Sequence, residues 1–205
     1  MTTRHLLIAI LLLPTLLCAQ SVPPPSDQGP IIGLYTTAEM GDDTAVFLEV
    51  TEFPQQFEIH AIISYPGVES VSGCEFRISL SPEFEAASYY LSSVNGEAGW
   101  CGMDWPNVLM GFSTPRPVVD GHAWVLTATY LVAAEFGDGW FYLGPTSVQS
   151  IPGEMAIAEG DNPDNLIVIR PNSDGLDHDQ PVFQVTAGTV PVIGRTLTTV
   201  KALFH

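Results

Sequence analysis

Apolar residues at every second position, cut into short runs by turn-forming pairs, constrain this chain more than anything else in its sequence. Over residues 72–80, Cys74, Phe76, Ile78 and Leu80 alternate with Glu75, Arg77 and Ser79. A strand sends successive side chains to opposite faces, so such a run buries one face and leaves the other in water. Residues 56–64 repeat the pattern, with Phe57, Ile59, Ala61 and Ile63 set against Glu58 and His60. Residues 122–133 form a longer run with Trp124, Leu126, Ala128, Tyr130 and Val132 on one face. Its other face is also apolar, which predicts a central, covered strand.

Further strands are predicted over 31–36, 44–50, 107–112, 140–143, 155–158, 166–170 and 182–185. Gly41-Asp42, Pro66-Gly67, Asn95-Gly96, Asp120-Gly121 and Asp174-Gly175 mark turns between them. The 18 glycines and 17 prolines suit many short connections better than long helices. No segment between the N-terminal run and residue 195 keeps a helical period over three turns. The expected fold is all-β: an antiparallel two-sheet β-sandwich of the jelly-roll kind, with a closed barrel as the alternative.

The two ends read differently. Residues 1–21 have the form of a secretory signal peptide: Arg4 and His5, an apolar run from Leu6 to Leu17, then Ala19-Gln20-Ser21 as a cleavage site. The run is shorter than the roughly 20 residues a membrane span needs, so no transmembrane segment is expected after cleavage. Residues 22–30 hold Pro23, Pro24, Pro25 and Pro30 and form a stiff leader. The sandwich is expected over 31–190. Residues 191–205 form a tail, with Leu197, Val200 and Phe204 on one face of a short C-terminal helix. That helix is either a frayed end or a docking element. These features predict a secreted, periplasmic or cell-surface protein.

Export bears on the cysteines. Cleavage removes Cys18 and leaves Cys74 and Cys101, which suggests one disulfide. The bridge would close a loop of about 27 residues and contribute about 3 kcal/mol by restricting the unfolded chain. Two buried thiols are the alternative.

Charge removes whole classes of partner. With 23 acidic and 6 basic residues the net charge is −17. Nucleic acids are bound through lysines and arginines, and this chain is poor in both. The same field repels anionic membrane surfaces.

Catalytic signatures are absent from the sequence. Gly111-Phe112-Ser113-Thr114-Pro115 lacks the final glycine of a nucleophile elbow. His60, His122, His178 and His205 are isolated, with no paired metal spacing. A glycosidase needs two carboxylates at a set separation, and 23 acids contain such a pair by number alone. No cofactor is predicted. Calcium takes six to eight oxygen ligands, and Asp174, Asp177 and Asp179 are weak candidates for it. A solvated polar loop explains them as well.

The most distinctive run is Gly99-Trp100-Cys101-Gly102-Met103-Asp104-Trp105-Pro106. Trp100 and Trp105 offer faces for a sugar ring to stack on, and Asp104 would accept from its hydroxyls. Tyr89 and Tyr90 would extend that platform. Packing of the indoles into the sandwich is the competing reading.

Residues 56–144 resemble the cohesin-type sandwich. The likeness rests on Val71-Ser72-Gly73-Cys74-Glu75-Phe76-Arg77-Ile78, a Ser81-Pro82-Glu83-Phe84 corner, the long strand 122–133 and Phe141-Tyr142-Leu143. The chain from residue 22 onward is also similar to a group of exported bacterial proteins with a Gly-Leu-Tyr start, here Gly33-Leu34-Tyr35. Their tail reads Thr-Trp-Gly-x-x-Lys-x-Leu-Tyr-Arg. Thr196, Lys201 and Leu203 match it, and Leu197, Thr198 and His205 depart from it. The resemblance implies a non-catalytic binding or scaffold module that recognises protein or carbohydrate outside the cytoplasm. A carbohydrate-active hydrolase and a structural envelope or matrix subunit are the competing readings.

Overall fold

The computed structural model describes residues 29–39, 46–94, 98–101 (backbone only) and 105–188. Among the described residues twelve strands carry the fold. The first five are β1 (Ile31–Tyr35), β2 (Phe47–Val50), β3 (Gln55–Ser64), β4 (Ser70–Leu80) and β5 (Ser88–Val94). A six-residue helix, α1 (Pro82–Ala87), lies between β4 and β5. Then come β6 (Ala98–Cys101), β7 (Asn107–Pro117), β8 (His122–Val132) and β9 (Asp138–Gly144). The last three are β10 (Met155–Glu159), β11 (Leu166–Pro171) and β12 (Phe183–Ala187).

One sheet runs β1–β3–β8–β5, all neighbours antiparallel. The other runs β2–β12–β9–β4–β7–β6, with β10 beside β4 along the edge that also carries β9. The hairpin β10–β11 stitches the layers together, because β11 pairs with β10 and, in parallel, with β1. β2 and β12 are also parallel. The predicted two-layer sandwich is therefore present, with two parallel pairings in an otherwise antiparallel architecture.

Side-chain alternation explains how the layers meet. On β3, Phe57, Ile59, Ala61 and Ile63 point inward; on β4, Cys74, Phe76 and Ile78 do. Aromatic rings fill the centre. Phe141 of β9 is fully buried, with ring centroids of Tyr130, Phe84, Phe183 and Phe57 at 5.2, 5.5, 5.7 and 6.4 Å. Edge-to-face rings at such spacings add to what apolar burial supplies. Helix α1 starts on Pro82, whose missing N–H costs nothing at a first turn, and it lays Phe84 into this cluster. The Phe84 ring crosses Gly139 so closely that an added Cβ there would sit 2.5 Å from it.

Three elements depart from expectation. β5 was hidden because Leu91 bulges between Tyr90 and Ser92 and breaks the period of two. β6 is four residues long, too short to show a period. β7 continues past residue 112 through Pro115 and Pro117, pairing Pro117 with Ser70 of β4 alone. Proline is tolerated where a strand has one neighbour. Of the predicted leader at 22–30, residues 22–28 lie outside the described residues, as do the tail at 191–205 and the signal segment.

Candidate binding face

The outward face of the β1–β3–β8–β5 sheet can be read in rows from the ladder register. Gln56, Leu131 and Tyr89 form one row, and Glu58, Thr129 and Ser92 the next. Tyr35, His60, Thr127 and Val94 follow, then Gly33, Ile62 and Trp124, then Ile31, Ser64 and His122. These rows contain one carboxylate, Glu58, in a chain with 23. The acids are thus kept off this face.

Hydrogen bonds fix its polar groups. Thr127 Oγ1 lies 2.7 Å from His60 Nδ1 and accepts from Trp124 Nε1 at 3.0 Å. His122 Nδ1 lies 2.9 Å from Ser64 Oγ, and its ring packs on Tyr65 with centroids 5.3 Å apart. Tyr35 Oη accepts from Asn172 Nδ2 at 3.0 Å. The Tyr35 ring lies across Gly33, where no Cβ would fit. Arg116, at the end of β7, places its guanidinium 5.2 Å from the Trp124 ring and 5.1 Å from the Phe112 ring. Along β5 the margin is apolar and open: Tyr89, Leu91 and Val94 are 60%, 47% and 59% exposed. The face is rigid in its middle and hydrophobic at its rim.

Burial lowers the pKa of His60, against a smaller upward pull from Glu58. It lowers that of His122 in the same way, against Asp120. Both rings are therefore held neutral more firmly in the folded chain than in the unfolded one. Stability from this source is complete above about pH 6.5 and falls as acidification passes through the folded values, because the unfolded chain binds those protons first. Partial exposure of both rings limits the size of the effect. A His60→Gln/His122→Gln variant is expected to lose less stability than the parent between pH 6.5 and 5, above the main carboxylate range. Denaturant midpoints at the two pH values check this, and parallel losses would refute it.

The sequence-predicted site residues fare differently. Trp105 is half-buried; Tyr90 stacks on it at 3.8 Å and 10°, and Tyr130 meets it edge-on. Tyr90 thus occupies one indole face and points inward, so of the two tyrosines offered to the platform only Tyr89 is open. Asp104 lies outside the described residues. Trp100 is on β6 opposite Gly111, with its side chain outside the description. Among the described residues, no three His, Cys, Asp or Glu side chains gather as a metal site. The Asp177 carboxylate accepts the Asp179 backbone N–H at 3.0 Å, and Asp174 opens a separate 3-10 turn (Asp174–Leu176).

Cys74 is buried in the core. Both Cys74 on β4 and Cys101 on β6 stand opposite Met110, on either side of β7. Two strand spacings come to about 10 Å. A disulfide needs Cα atoms within about 7 Å, so the predicted bridge requires β6 to leave this register. The sequence shows the cysteines but not that a third strand runs between them.

No family model and no curated protein matches this chain. Among solved structures it is similar to the sixth cohesin of Acetivibrio cellulolyticus scaffoldin B, crystallised with a Cel5 dockerin mutant. That match has 10% identity and a TM-score of 0.49, and covers 78% of this chain and 99% of the other. The seventh ScaB type I cohesin of Pseudobacteroides cellulosolvens gives 10%, 0.48, 80% and 94% in the same order. A non-cellulosomal cohesin from Archaeoglobus fulgidus gives 9%, 0.45, 78% and 89%. The two-sheet sandwich itself stands on the strand ladders of this chain.

Proposed function

We propose that this chain is an exported, non-catalytic module that docks a partner protein on the outward face of the β1–β3–β8–β5 sheet. The supporting observation is the face itself: its polar groups are fixed by internal hydrogen bonds, it carries a single acid, and Tyr89, Leu91 and Val94 are exposed along its margin. Nine residues of β3 extend about 30 Å, and four strands span about 15–20 Å. Within that outline Ile31, Tyr35, Ile62, Ser64, Thr127 and Thr129 are buried, so a partner meets the exposed margin and the half-exposed His60, Trp124 and Leu131. A rigid surface with an open aromatic anchor loses little entropy on docking. Export rests on the apolar run at 6–17 and its small-residue cleavage site. Among the described residues no helix is long and apolar enough to cross a membrane.

The test is retention of proteins from the extracytoplasmic fraction of the source cell on immobilised chain, beside a glycan array. A Tyr89→Ala/Val94→Glu variant should lose the retained protein at least tenfold with its melting temperature unchanged. An Asp161→Ala control, on the β10–β11 connection, should keep it. Equal retention by all three, or binding to polysaccharide with no protein retained, would overturn the reading.

A further inference from the structure

The second sheet holds a separate site on its outward surface. β10, β4 and β7 run side by side there, and the register sets Ala158, Gly73 and Gly111 in one row and Ala156, Glu75 and Leu109 in the next. Three residues without a large side chain leave a floor at backbone level, and the row runs on to Trp100 of β6, whose side chain lies outside the description. Pro163 and Leu166 rise beside it, enclosing a trough of about 430 Å³. Gly73 is required on this floor, since a Cβ would lie 2.8 Å from the Met110 carbonyl oxygen. At Gly111 the opposite holds: an added Cβ would meet nothing within 4 Å, because it would enter the trough.

One charge lies in this apolar setting. Glu75 is 7% exposed, and its oxygens accept from the Ser150 N–H at 2.9 Å and the Ser150 hydroxyl at 2.8 Å. A carboxylate offers about four acceptor positions, so two are left over. No Lys, Arg or His forms an ion pair with it among the described residues. A buried charge without a counter-charge is costly, and a cation arriving from outside would relieve that cost. A metal ion is the wrong cation, because the trough brings a single carboxylate and no metal-binding cluster forms among the described residues. The apolar length of the trough instead suits a hydrocarbon stem that ends in a positive head. A net charge of −17 draws basic segments toward the molecule in the first place.

The geometry points to this trough as a receptor for one lysine or arginine side chain of a partner protein. The stem lies over Gly73, Gly111 and Ala158, and the cationic head bonds to Glu75. Small residues flank that side chain on the partner so that its backbone can approach. The site is independent of the first sheet and of what docks there.

Titration of the full chain with short blocked peptides tests the assignment by amide chemical shift. The probes are Ala-Gly-Lys-Gly-Ala and its arginine, norleucine and glutamate counterparts, with free 1,5-diaminopentane as a separate arm. The lysine and arginine peptides should shift the amides of Gly73, Gly111 and Ser150, and bind at least tenfold more tightly than the norleucine peptide. Glu75→Gln keeps an acceptor for Ser150 and should lose that preference. Gly111→Val should fill the trough and abolish binding with the melting temperature unchanged or raised. Three outcomes would overturn the proposal: no shifts with either basic peptide, equal binding of the norleucine peptide, or shifts that survive both substitutions. Diaminopentane binding as tightly as the lysine peptide would replace the partner protein with a soluble amine.

Discussion

Phe141→Ala is expected to destabilise the sandwich by about 3–5 kcal/mol. Its ring is fully buried and touches four other aromatic rings drawn from α1, β3, β8 and β12. The neighbours cannot collapse into the space together, because each is a flat ring held on a different strand or helix. The loss thus combines transfer of the side chain with a cavity that relaxes poorly. For a domain of this size about 1 kcal/mol corresponds to about 2–4 °C, so melting should fall by about 6–20 °C. Phe141→Leu should recover at least half of that. Calorimetry on the three proteins decides the matter, and a change of less than about 3 °C for the alanine variant would mean that Phe141 does not hold the core together.

Raising the pH above 10 is expected to unfold the chain progressively, through tyrosines. Burial pushes the Tyr130 phenol far above its ordinary pKa, and Tyr90 adds a smaller upward push. Burial also raises Tyr35, against hydrogen bonds from Asn172 and Ser64. Below pH 10 these phenols are protonated in both states and the effect is neutral. Above it the unfolded chain gives up the protons while the folded chain keeps them, so stability drops by about 1.4 kcal/mol per pH unit for Tyr130, and in the same direction for Tyr35. Tyr130 alone then removes about 3 kcal/mol between pH 10 and 12. Among the described residues its hydroxyl has no hydrogen-bond partner. Tyr130→Phe should therefore add about 1 kcal/mol at neutral pH and flatten the alkaline decline. Denaturant unfolding at pH 8, 10 and 11.5 checks both effects; an equally steep decline in the variant would contradict them.

How far the sequence could be read depended on whether alternation stayed uninterrupted. β3 keeps one inward face from Phe57 to Ile63, β4 from Cys74 to Ile78 and β8 from Leu126 to Val132, and the period of two exposes them directly; a bulge at Val125 turns Trp124 to the outward face, against its expected place beside Leu126. β5 fails that reading because a single bulge at Leu91 exchanges its faces midway. The aromatic run at 99–106 was legible as chemistry but not as geometry. Nothing in Trp105 itself says that Tyr90 from a neighbouring strand covers one of its faces. The docking face draws on Tyr35, His60, Trp124 and His122, which lie on three strands and meet only through register. Glu75 looked like one more alternating polar residue, and its burial depends on Ser150, 75 positions away.

The β10–β11 hairpin gives the two layers unequal margins. On its side, backbone hydrogen bonding runs without a break from β4 through β10 and β11 to β1. On the far side β5 and β6 each end a layer, with no ladder joining them among the described residues. The molecule is bound like a book along one spine, and any loosening that spares the spine must begin at the fore-edge. Tyr89, Leu91 and Val94 stand at that fore-edge, so a partner resting on them would also clasp the covers shut.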